Sequence, residues 1–74
     1  MTMYIVVCKE AGKKEYMGYR PSIEEATTLA KLAFKIHRMS KWVKIIDCYY
    51  NFTTIAKYTN ESALDFEIPT KKSA

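Results

Sequence analysis

The residues able to do acid–base, nucleophilic or metal chemistry are few in this 74-residue chain: one histidine, His37, two cysteines, Cys8 and Cys48, and eight carboxylates. A nucleophile needs a base beside it, a general acid needs a neighbour that shifts its pKa, and both need a concave site that so short a chain seldom encloses. Cys8 or Cys48 with His37 would make a thiolate–imidazole pair, but each cysteine falls inside an apolar, strand-like run and no third group of suitable type accompanies them. On a helical wheel His37 falls between Ala26 and Ala30, near a helix C-terminus where the dipole favours a cation, so its expected role is helix packing. Zinc wants four ligands in close pairs, and neither CxxC nor HxxxH spacing is present. Glu24 and Glu25 diverge by about 100° on a helix and read as first-turn acids rather than a convergent pair. Gly12 and Gly18 belong to no phosphate loop. The expectation is a chain that is not an enzyme and takes no metal, cofactor or small-molecule substrate.

Binding chemistry has more to work with. The formal charge is +4, and six tyrosines, three phenylalanines and a tryptophan could stand among lysines on an open sheet as stacking surfaces for nucleic acid. The basic candidates for such contacts are Lys13, Lys14, Lys31, Lys35 and Arg38. Lys31, Lys35 and Arg38 also fit the exposed stripe of a helix toward its C-terminus, where cations are expected on dipole grounds. The aromatic signature of an RNA-recognition motif is missing; Met17-Gly18-Tyr19-Arg20 only approaches it, and there is one long helix, not two.

The elements that must position these residues follow from punctuation. Met3–Lys9 is β-branched, aromatic and apolar on both alternating faces, as a central strand would be. Ala11-Gly12-Lys13-Lys14 supplies a turn, Glu15–Tyr19 a returning arm, and Pro21 ends it. Ser22 followed three residues later by Glu25 is the capping-box spacing, so a helix starts at Ile23. Period two resumes in Trp42–Tyr50, with Asn51-Phe52-Thr53 as a turn and Thr54–Thr59 as the antiparallel return. Two glycosylation sequons, at Asn51 and Asn60, read as turn asparagines. The expected fold is α+β: a small ββαββ domain over residues 1–60, with a four-stranded, mainly antiparallel sheet and one helix on one face. Residues 61–74 are expected to be a partly flexible tail.

The hairpin followed by Ser22-Ile23-Glu24-Glu25-Ala26 resembles the strand–strand–helix half of HicB-like antitoxins, which open the corresponding helix with a similar acidic pair. The likeness covers less than half the chain and is chiefly a capping box. The glycine-rich second strand and the DNA-binding segment of those proteins are not recognisable here, so no membership follows.

A chain of this size buries only roughly 60% of its unfolded surface, yet it carries more apolar faces than one helix and one sheet can cover. The helix has an apolar arc of roughly 220°, from Met39 through Leu32, Ile36 and Leu29 to Phe34, against the ~100° stripe typical of a helix with one buried face. Trp42, Ile46 and Tyr50 share one face of the third strand around Lys44, and Val43 and Ile45 share the other. Assigning Val43 and Ile45, with Ile5 and Val7, to the helix side leaves Tyr4, Val6, Trp42, Lys44, Ile46 and Tyr50 as an outward surface for a protein partner or a second copy. The expected function is therefore a small cytoplasmic interaction module, homodimeric or bound to a larger host protein as inhibitor or accessory factor, of the kind viruses and mobile elements encode. A small basic nucleic-acid-binding protein is the alternative. No apolar stretch nears the ~18 residues of a membrane span.

Overall fold

The first hairpin turns on two residues. Tyr4–Glu10 forms β1 and Lys13–Arg20 forms β2, with only Ala11 and Gly12 between them, both at positive φ (54° and 79°). Positive φ at both central positions is the type I′ geometry, whose twist matches the strands it joins. Ser22 then caps α1, Ile23–Ile36: its hydroxyl accepts from the Glu25 N–H at 3.2 Å and donates to the Glu25 carboxylate at 2.9 Å. The two box residues are those expected, but the carboxylate takes the serine hydroxyl rather than the cap amide.

Trp42–Asp47 forms β3 and Thr53–Tyr58 forms β4. The computed structural model describes residues 2–66, and over them the chain is the expected α+β ββαββ domain. Its sheet order is β2-β1-β3-β4, with every neighbouring pair antiparallel. β3 stops at Asp47 because the Asp47 carboxylate accepts from the Tyr49 N–H at 3.0 Å, turning the chain. Tyr50, expected on the strand, therefore lies in the turn, as does Cys48. Asn51 and Phe52 complete that turn at φ 56° and 53°.

The core lies between α1 and one sheet face. Val6, Cys8, Val43, Ile45 and Tyr58 are fully or almost fully buried beneath Ala26, Leu29, Ala30 and Ala33. Val43 and Ile45 face the helix as expected, but their β1 partners are Cys8 and Val6, not Val7 and Ile5. Tyr4 and Val6, expected on the outward surface, are thus core residues. The reason is that β1 is apolar from Tyr4 through Cys8, so alternation carries no information about which parity turns inward; cross-strand register decides it.

The wide apolar arc of the helix is partly covered from within the chain. A short helix, α2 (Ala63–Phe66), follows a turn in which Asn60 Oδ1 accepts from the Ala63 N–H at 3.0 Å, and it buries Leu64 completely in the core. The core therefore extends past residue 60 into the segment read as a tail, whose end beyond Phe66 lies outside the described residues. α1 ends at Ile36, where the His37 N–H donates to the Ala33 carbonyl at 2.7 Å, so Met39 lies beyond the helix. Leu32 and Ile36 stay 45% and 58% exposed.

Candidate binding surface on the open face of the sheet

Register arranges the uncovered sheet face in rows. Tyr19, Ile5, Ile46 and Thr54 run across the four strands, then Tyr16, Val7, Lys44 and Lys57, then Lys14, Lys9 and Trp42. Ile5 and Val7 are only 6% and 4% exposed, forming a floor between taller neighbours, whereas Tyr16 and Tyr19 stand 74% and 62% exposed at the β2 edge.

The two tyrosines share this face because of a bulge. Residues three apart on a regular strand point to opposite sides. Here the pairing shifts between Val6–Gly18 and Val7–Tyr16, leaving Met17 as the extra residue, packed against the core. Gly18, at φ 143°, occupies a region that disfavours a side chain, and a Cβ there would lie 3.5 Å from Leu29 Cδ2. A second shift, between Ile45 and Ile46 on the β4 side, puts Lys57 and Thr54 on the same face.

The charge on this face has one sign. Lys9, Lys14, Lys44 and Lys57 all belong to it. Glu15 and Asp47 lie opposite Cys8 and Tyr4, and Glu10 has the same parity, so all three point to the helix side. Glu24 and Glu25 belong to α1, while Glu61 and Asp65 flank or belong to α2. Among the described residues, no carboxylate lies on the open face. Lys9 stands directly opposite Lys14, and Lys44 directly opposite Lys57, although like charges so placed destabilise a sheet. The Lys44 and Lys57 ammonium groups lie 4.5 and 5.6 Å from the centroid of the Trp42 ring, within cation–π range.

Of the residues expected at an interface, Trp42, Lys44 and Ile46 meet here, while Tyr4 and Val6 are in the core and Tyr50 is in the turn. Of the basic candidates, only Lys14 lies on this face. Lys13 sits opposite Glu10 on the helix side, and Lys31 Nζ meets Asp65 Oδ1 at 2.7 Å. Lys35 and Arg38 line a separate open groove of about 510 Å³ with Phe34 and Glu61. Lys9, Lys57, Tyr16 and Tyr19 went unrecognised in the sequence because their common face exists only through register and two bulges.

The groups considered for catalysis are dispersed. His37 Nδ1 lies 3.0 Å from Glu10 Oε1, and Glu10 Oε2 accepts from the Met39 N–H at 3.4 Å, so this carboxylate ties the end of α1 to the end of β1. Both cysteines are free, and burial pushes both thiols above their ordinary value, away from the reactive thiolate. Among the described residues no group of three His, Cys, Asp or Glu side chains could hold a metal ion, and no helix is long and apolar enough to cross a membrane. No family model matches this chain, and neither a curated protein nor a solved structure matches it.

Proposed function

We propose that this chain is a non-catalytic binding module that engages a polyanionic partner through the open face of its sheet. The observation that carries the reading is the segregation of charge: four lysines and three exposed or half-buried aromatics around an aliphatic floor, with no described carboxylate among them. Self-pairing through the same face would set four lysines against four, which like-charge repulsion opposes.

Retention on immobilised heparin tests the location of the binding charge. Lys44→Glu with Lys57→Glu, and Lys35→Glu with Arg38→Glu, each remove four charge units from a +4 chain. The first pair should abolish retention and the second should leave much of it. Equal loss from both would show that net charge, not this face, governs binding.

A second reading rests on Leu32, Ile36 and Met39, the apolar residues left exposed on and beyond α1. They would serve a protein partner or a homodimer, as an inhibitor or accessory factor requires. Concentration-dependent sedimentation that Ile36→Lys eliminates would support self-association through the helix.

A further inference from the structure

We infer that the polyanion taken by this face is a single-stranded nucleic acid, with bases stacked on Tyr16 and Tyr19 and phosphates held by the surrounding lysines. The inference rests on the binding-module reading and names its partner. Tyr16 and Tyr19 lie opposite Val7 and Ile5, alternate residues of β1, so the two side chains leave the backbone at positions roughly 6.7 Å apart along the strand. That is about twice the ~3.4 Å step between stacked bases, a spacing that gives each ring its own base from an extended, unstacked strand.

A duplex fits poorly. Its bases are already stacked and paired, and four strands at ~4.8 Å spacing span about 14 Å before side chains are added, more than the ~12 Å major groove admits. An acidic protein partner fits less well on other grounds. Carboxylates select the forked donors of arginine, the open face has none, and protein interfaces are depleted in lysine. Two prominent tyrosines would also have no bases to stack on. Phosphates, in contrast, would relieve the like-charge repulsion within both cross-strand lysine pairs, Lys9 with Lys14 and Lys44 with Lys57. Tyr16 and Tyr19 are exposed at the sheet edge beside the aliphatic floor of Ile5 and Val7, where every base can present a π-face without sequence preference.

Trp42 is the single tryptophan, and two of the phosphate-binding lysines lie over its ring, so its fluorescence reports occupancy. The full chain is titrated with a 12-residue oligodeoxythymidylate, with the same strand in duplex, with heparin and with polyglutamate, at several salt concentrations. The single strand should bind at least tenfold tighter than the duplex. Its log–log salt slope should be about −2 to −3, from roughly 0.7 for each of up to four neutralised phosphates. Tyr16→Ala and Tyr19→Ala should each weaken binding about tenfold while circular dichroism stays native, and the corresponding Phe variants should bind like wild type. If duplex, heparin or polyglutamate matches the single strand, or if both Ala variants bind it unchanged, the partner is not a stacked single strand and only the binding-module reading stands. Binding to none of the four overturns both.

Discussion

Cys8 shows how a single side chain reads differently in sequence and in place. Its type offers a nucleophile, but it points into the core between the sheet and α1, where burial pushes its thiol above the ordinary 9.0. The folded state then holds that proton more tightly than the unfolded chain does. Its contribution to stability is full below pH 9 and is lost as pH rises above that value. Melting temperature should therefore hold from pH 7 to 9 and fall beyond, with a shallower fall in Cys8→Ala; identical alkaline profiles would assign the loss to other groups. The single-residue expectations that hold are those set by local chemistry. Ser22 caps a helix because its hydroxyl needs only the amide three residues on. The burial of Tyr4 and Val6 is not legible in the sequence, because nothing local distinguishes one parity of an all-apolar strand from the other.

Among the elements, α1 starts where the sequence says and is held from two directions. Ser22→Ala should lower stability by about 0.5–2 kcal/mol through loss of the cap, measured by urea unfolding; no change would mean the first turn is satisfied by other acceptors. The short α2 should matter more than its length suggests. Leu64 is fully buried, so Leu64→Ala should cost about 2–5 kcal/mol, whereas Asp65→Asn, which breaks only the surface pair with Lys31, should cost under about 1 kcal/mol. Equal losses would place the anchor in the ion pair instead of the side chain in the core. All four strands, their antiparallel pairing and the helix were legible, because Gly12, Pro21, Ser22 and the change of period after Ser40 punctuate them. The bulges at Met17 and Ile55 were not. Each depends on how many residues the partner strand offers, and that is a property of the sheet rather than of either strand.

For the whole molecule, the two sheet faces do different work. Ile45 is fully buried under α1, and Ile45→Asp should unfold the chain, since an unpaired buried carboxylate costs more than a small domain's stability allows. Its neighbour Ile46 points to the open face among lysines, so Ile46→Asp should stay folded by circular dichroism. It should also weaken heparin binding, by adding a carboxylate where the wild-type face has none. The reverse pattern would exchange the faces. Whether the open face takes a single strand is read most directly by a backbone amide NMR titration of the full chain with the 12-residue oligodeoxythymidylate. Shifts should cluster on Tyr16, Tyr19, Val7, Lys44 and Lys57 and leave Thr28, Leu32 and Ile36 of α1 in place; shifts confined to α1, with the open face unmoved, would rule out binding at the sheet.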